Sequence, residues 1–160
     1  MRQFEPAVLA LASALRARGW KIVTAESCTG GLIAAACTAI AGSSDWFERG
    51  FVTYSNEAKA ELLGVPMALI EAHGAVSAEV ARSMAEGALL HSHGQLAVAV
   101  TGIAGPGGAT PGKPVGTVWL AVACAGVDAQ AELLSLSGDR VAVREQTVQH
   151  ALQRLRESGR

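Results

Sequence analysis

Ser27, Cys28 and Thr29 stand in a row after Glu26 and before the glycine pair Gly30-Gly31. A hydroxyl or thiol there can serve as a nucleophile. The glycines let the backbone come close to a ligand, and free N–H groups at the start of a following helix favour an anion or an oxyanion. The same residues also fit an ordinary strand-to-helix turn in which a Ser or Thr caps the helix.

A serine is a weak nucleophile until a neighbour takes its proton. None of the four histidines makes a convincing partner. His91 and His93 fall at a helix C-terminus, where a cation is favourable in any case. His150 lies mid-helix among polar residues and reads as exposed, and His73 sits at a turn with nothing nearby that points to a triad. A desolvated lysine can serve as a base instead. Lys59 lies in the first turn of a helix, just after Tyr54-Ser55-Asn56. A helix N-terminus disfavours its charge, and Tyr54 can orient it or relay a proton. Pairing of Lys59 with a surface acid such as Glu61 is the competing reading. Lys21 begins a strand and reads as solvated.

Two further clusters carry ligand chemistry. The stretch GIAGPGGATPGKP after Thr101 places a glycine-rich loop, with Gly102 and Gly105, at the end of an apolar strand. Ligands bind at such strand ends in α/β sheets. Gly107, Gly112 and Lys113 satisfy a P-loop spacing, but Pro114 stands where the Mg²⁺-binding hydroxyl belongs and a strand follows instead of a helix, so that reading is rejected. Ser137-Gly138-Asp139-Arg140 precedes the last helix. An arginine there opposes the helix dipole, so either an anionic ligand or a buried pair with Asp139 or Glu26 must justify it.

Hydrophobic periodicity supplies the elements that hold these residues. Helices are expected over 6–18, 32–40, 56–63, 66–72, 78–92 and 141–157, and strands over 20–25, 51–54, 96–101, 115–125 and 129–136. The helix LIAAACTAI is apolar nearly all round and is expected to be buried. Helices intervene between the early strands and a tight turn joins the last two. The fold class is therefore α/β, a three-layer α/β/α arrangement on a mixed, mostly parallel sheet in one domain over 1–160.

Bulk composition agrees and excludes other classes. With 50% hydrophobic and 17% charged residues among 160, the chain is globular. A net charge of −1 with no basic run argues against nucleic acid as a partner. No stretch is long enough to span a membrane, and the N-terminus lacks a signal-peptide layout. The three cysteines, without a C-x-x-C, read as reduced thiols in a cytoplasmic protein.

The blocks TAESCTGG, AGSSDWFERGFVTYSNEAKAELLGV, HGAVS, TGIAGPGG, KPVGTVW and SGDRVAVREQ together resemble the CinA C-terminal domain family, over about residues 5–157. The resemblance implies hydrolysis of the carboxamide of nicotinamide mononucleotide to nicotinic acid mononucleotide and ammonia, with no metal or cofactor, in a homodimer of mixed-sheet α/β/α subunits. It implies Ser27 as nucleophile, with Lys59 and Tyr54 as base and relay. It also implies a substrate-binding set of Glu26, Cys28, Thr29, Gly30, Gly31, Asn56, Thr101, Gly102, Gly105 and Arg140. Leu136 departs from the family pattern, as do Ala109 and Gly112 within the glycine-rich loop. A non-catalytic nucleotide-binding or regulatory module, linked to competence or DNA damage, is the alternative function.

Overall fold

The computed structural model describes residues 1–160. Strand β1 (Ile22–Glu26) lies between β2 (Phe47–Val52) and β3 (Leu96–Gly102), parallel to both. Strand β4 (Thr117–Cys124) runs antiparallel to β3, and β5 (Val127–Ser135) returns antiparallel to β4. The sheet order is β2-β1-β3-β4-β5. Four strands point one way and β4 alone is reversed, which gives the mixed, mostly parallel sheet expected from the connections.

Helices cover both faces. On one lie α1 (Glu5–Arg18), α2 (Leu32–Thr38) and α6 (Arg140–Ser158); on the other, α3 (Asn56–Leu63), α4 (Met67–His73) and α5 (Ala78–Leu90). Strand β3 shows how one sequence serves both layers. Leu96, Val98 and Val100 face α1 and α6, whereas Ala97 and Ala99 face α5. The two sets alternate because strand side chains do, and the small ones let α5, itself carrying Ala81, Ala85 and Ala88, pack close to the sheet. Gly87 takes this furthest. A Cβ there would stand 2.0 Å from the Leu63 carbonyl oxygen, so only glycine admits the crossing of α5 on α3.

Local signals set the helix boundaries. Ser55 accepts the Ala58 N–H at 3.0 Å and Ser77 the Val80 N–H at 3.3 Å, capping α3 and α5 as their sequences indicate. Gly19 and Gly64 end α1 and α3 in left-handed conformations. Two expectations need correction. Strand β2 begins at Phe47 instead of residue 51: FERGFV is an edge strand, so Glu48 and Arg49 can sit on it and reach solvent. Helix α2 ends at Thr38 and is not buried all round, since only Ile33, Ala36 and Cys37 are enclosed and Ala35 faces solvent.

Candidate active site

The C-terminal ends of β1, β2 and β3 converge on one crevice. The chain leaves β1 through α2 to reach β2 on one side, then crosses the opposite face through α3–α5 to reach β3 on the other. The crevice beyond β1 is thus the point where the direction of winding reverses, the usual ligand site of an open α/β sheet. A cavity of about 190 Å³ occupies it. Ser27 and Cys28 reach it from the end of β1, Tyr54 from the β2–α3 connection, Asn56 and Lys59 from the start of α3, and Thr101 and Gly102 from the end of β3. Arg140, at the start of α6, closes the ring.

Ser27 and Lys59 meet at the centre of this arrangement. The Lys59 amine lies 3.1 Å from Ser27 Oγ, 2.9 Å from the Thr53 carbonyl oxygen and 3.3 Å from the Tyr54 carbonyl oxygen. No carboxylate shares the site, and Lys59 is 1% exposed. Burial holds its pKa below the ordinary lysine value, because the charged form loses water without gaining a counter-ion. Once deprotonated, the amine can keep its two N–H groups on the two carbonyls and turn its lone pair to the serine hydroxyl. That is the geometry of an activated nucleophile. The surface pairing with Glu61 does not occur.

Cys28 is a poor rival. Its thiol packs among core residues such as Ile33, and burial, reinforced by the Glu26 charge, pushes its pKa up to about 12. A thiol held so far from ionisation is inert as a nucleophile near neutral pH.

The remaining expected residues separate into two groups. Asn56, Thr101, Gly102 and Arg140 border the cavity with Ser27 and Lys59. Thr101 donates its hydroxyl hydrogen to the Ala75 carbonyl at 2.9 Å, so its oxygen lone pairs remain free. Arg140 pairs with neither Asp139 nor Glu26. Its guanidinium donates to the Gly105 carbonyl at 2.9 Å and to the Tyr54 hydroxyl at 3.4 Å, while Asp139 caps α6 by accepting the Ala142 N–H. Tyr54, 62% exposed, therefore turns its hydroxyl to Arg140, and Lys59 reaches Ser27 without it.

Glu26, Thr29, Gly30, Gly31 and Gly105 do not border the cavity; they lie behind the residues that do. The Glu26 carboxylate is fully buried and accepts from Thr29 Oγ1 at 2.6 Å, from the Ile33 N–H at 2.8 Å and from the Ala34 N–H at 3.0 Å. It caps α2 from inside the protein, where an anion suits the helix N-terminus. Gly30 and Gly31 have φ of +59° and +101°, two successive left-handed residues that fold the turn back toward α2. In that turn the Ser27 N–H bonds the Val100 carbonyl and the Gly30 N–H the Ser27 carbonyl, whereas the N–H groups of Cys28 and Thr29 have no protein acceptor.

Three cavity-lining positions fall outside the expected set: Ala75 and Val76, from the segment before α5, and Ala104 in the glycine-rich loop. Their small apolar side chains carry no chemical signature in sequence. Lys113, singled out by the rejected P-loop spacing, ties its loop to the end of α4 by donating to the His73 carbonyl at 3.1 Å. His150 is half-buried, with Nδ1 enclosed and unpartnered, and is not the exposed residue expected. No three His, Cys, Asp or Glu side chains converge closely enough to hold a metal ion.

Comparison with known proteins agrees with the architecture. A family model described as the CinA C-terminal domain matches residues 5–158. The nicotinamide-nucleotide amidohydrolase PncC of Escherichia coli K12 is 55% identical over 142 residues, covering 89% of this chain and 86% of that protein. A competence-damage inducible protein of Symbiobacterium thermophilum is 56% identical over 150 residues. This chain spans only 35% of that protein's length. Among solved structures, the competence/damage inducible protein CihA of Agrobacterium tumefaciens superposes with a TM-score of 0.95 at 44% identity, covering 98% of this chain and 96% of that one. A CinA superfamily protein of Klebsiella pneumoniae gives a TM-score of 0.93 at 39% identity, with 97% and 96% covered.

Proposed function

The chain belongs to the CinA C-terminal domain family, and we propose that it is a nicotinamide-nucleotide amidase acting through a Ser27–Lys59 pair. The single observation that carries the mechanism is the 3.1 Å contact between the Lys59 amine and Ser27 Oγ inside a site without a carboxylate. The substrate is taken from the PncC relative, whose name describes an amidohydrolase of nicotinamide nucleotides.

In this mechanism Lys59 takes the Ser27 proton as Oγ attacks the carboxamide carbon of nicotinamide mononucleotide. The carbonyl oxygen becomes an oxyanion beside Cys28, which borders the cavity and whose N–H has no protein acceptor. The protonated Lys59 then gives its proton to the departing amine, the C–N bond breaks and ammonia leaves. A nicotinate ester on Ser27 remains. Water, deprotonated by Lys59, attacks that ester; Ser27 recovers its proton, and nicotinic acid mononucleotide is released.

The cavity volume of about 190 Å³ is smaller than a typical ligand pocket. The pyridine amide therefore enters, and the ribose phosphate stays near the mouth beside Arg140, which is exposed and can take a phosphate oxygen. This predicts a preference for the nucleotide over nicotinamide riboside and free nicotinamide. Ammonia release from all three, at equal concentration, tests the reading: the nucleotide is expected to be turned over far faster, and equal rates would refute the phosphate assignment. The reading extends to a cytoplasmic homodimer in pyridine-nucleotide recycling, without metal or cofactor. The non-catalytic module is disfavoured because a buried, uncompensated lysine against a serine is costly to hold for binding alone.

A further inference from the structure

The contacts of the Lys59 amine suit two protonation states. The Thr53 carbonyl, the Tyr54 carbonyl and Ser27 Oγ match the three donors of an ammonium, which then donates to the serine and cannot take its proton. With one proton fewer, the same contacts leave a lone pair for the serine hydroxyl, the form that attack requires. Burial already disfavours the charged form. Any charge that arrives with the substrate acts on this balance.

Few protein charges surround the amine. From β1 come the Cys28 thiol, neutral because burial pushes its pKa up to about 12, and the Glu26 carboxylate, which is engaged by Thr29 and the start of α2. The β2–α3 connection brings the Tyr54 hydroxyl, and α6 brings the Arg140 guanidinium. On α3 itself Glu57 and Glu61 are exposed and make no ion pair with Lys59. The end of β3 and the segment before α5 supply Thr101, Gly102, Ala75 and Val76, none of them charged, and no charged side chain of α4 or α5 borders the cavity. A cation that enters this cavity therefore meets two other cations and no carboxylate.

Nicotinamide mononucleotide carries such a cation, the quaternary nitrogen of its pyridinium ring. Attack places the carboxamide carbon about 3–3.5 Å from Ser27 Oγ, and Oγ is 3.1 Å from the amine. The ring nitrogen is three bonds beyond that carbon, so it stands within about 10 Å of Lys59 in every productive pose. At an effective dielectric constant of about 20, two unit charges about 7–10 Å apart repel enough to move a protonation equilibrium about 15- to 50-fold.

We propose that the site takes carboxamides carried by a cationic ring, and that the charge of the ring drives the proton from Lys59 as the substrate binds. The proton passes to solvent, and no bond to carbon forms or breaks in this step. The substrate thus frees the base that attacks it, whereas the same amide on a neutral ring leaves Lys59 near its resting balance. This rests on the amidase reading above and deepens it, since ring charge then selects the substrate alongside phosphate.

The test reads binding without turnover. Ser27→Ala keeps Lys59 and its two carbonyl partners and cannot attack. Calorimetric titration in buffers of different ionisation enthalpy counts the protons released when it binds nicotinamide mononucleotide. The comparison ligand is the dihydro form, which has the same amide, ribose and phosphate on a neutral ring. A 15- to 50-fold displacement predicts release of about half to three quarters of a proton at the pH of greatest release. The dihydro form should release less than half as much, and the double variant Ser27→Ala/Lys59→Met should show no difference between the two ligands. Equal release by both ligands, or a difference that persists without Lys59, would overturn the proposal. If Ser27→Ala fails to fold, which circular dichroism reports, the parent decides the question: kcat follows the complex and kcat/KM the free enzyme. The kcat profile should then level off about 1–2 pH units below that of kcat/KM, and coincident profiles would overturn the proposal. The expected proton release together with no ammonia from the parent would refute the amidase reading and leave the coupling of ring charge to Lys59 in place. A folded Ser27→Ala that binds neither ligand would overturn both.

Discussion

Lys59→Met removes the amine at the centre of the site and keeps an unbranched side chain of similar length. Lys59 is 1% exposed, and its amine is the only protein partner of the Thr53 and Tyr54 carbonyls as well as of Ser27 Oγ. A general base is worth about 10²–10⁴ in rate. Here the same amine also protonates the leaving group and activates water for the second half of the reaction, so a loss of about 10³–10⁴ in kcat is expected. Two effects on stability oppose each other. The buried Thr53 carbonyl loses its donor, which costs about 1–3 kcal/mol, while relief from dehydrating an amine acts the other way. The net destabilisation should stay under about 2 kcal/mol. For a domain of this size that lowers Tm by at most about 4–8 °C. Ammonia release, coupled to glutamate dehydrogenase, gives kcat, and calorimetry gives Tm. A variant that keeps kcat within tenfold of the parent, or loses activity only in proportion to unfolded protein, would refute the reasoning.

The buried amine also predicts a pH dependence of stability. Burial holds the folded pKa of Lys59 below its ordinary 10.5, so the cost of burying the charge is fully present below the folded pKa and fades as pH rises from there toward 10.5. Thermal unfolding should therefore show a component of stability that increases with pH across that interval in the parent and is absent in Lys59→Met; identical slopes would contradict it. Activity follows the folded value alone: kcat/KM should rise as pH passes the folded pKa of Lys59 and level off above it. Tyr54→Phe removes the hydroxyl bonded to Arg140 and leaves the Ser27–Lys59 contact in place, so KM should rise about two- to fivefold with kcat nearly unchanged, on the order of one lost hydrogen bond. A large fall in kcat would return Tyr54 to a proton-relay role. Glu26→Gln weakens three buried hydrogen bonds at the start of α2 and should cost about 1–3 kcal/mol, seen as a lower denaturation midpoint in urea with unchanged KM; an unchanged midpoint would show that the cap contributes nothing.

The chemistry of the site was more legible in the sequence than its scaffolding. Ser27 and Lys59 carry distinctive side chains next to local signals, a glycine pair and a capped helix, and those signals do set their positions. Glu26 is ambiguous in the sequence because a carboxylate beside a nucleophile looks the same whether it meets substrate or caps a helix. Only its three inward hydrogen bonds decide the matter. The outward face of α2 escaped notice because alanine tolerates either environment. Arg144, whose guanidinium donates to the Cys28 and Thr29 carbonyls, gives little sign of it in the sequence, since those partners lie 116 and 115 positions away. The one available signal was its spacing of four from Arg140, which sets two arginines on one side of α6 where that helix begins.

Whether Ser27 is the atom that attacks the amide is tested most directly by assaying ammonia and nicotinic acid mononucleotide together, from nicotinamide mononucleotide, with the parent, Ser27→Ala and Cys28→Ala. Equimolar products from the parent and from Cys28→Ala, and none from a folded Ser27→Ala, are the predicted result. Turnover that survives in Ser27→Ala and disappears in Cys28→Ala would contradict it.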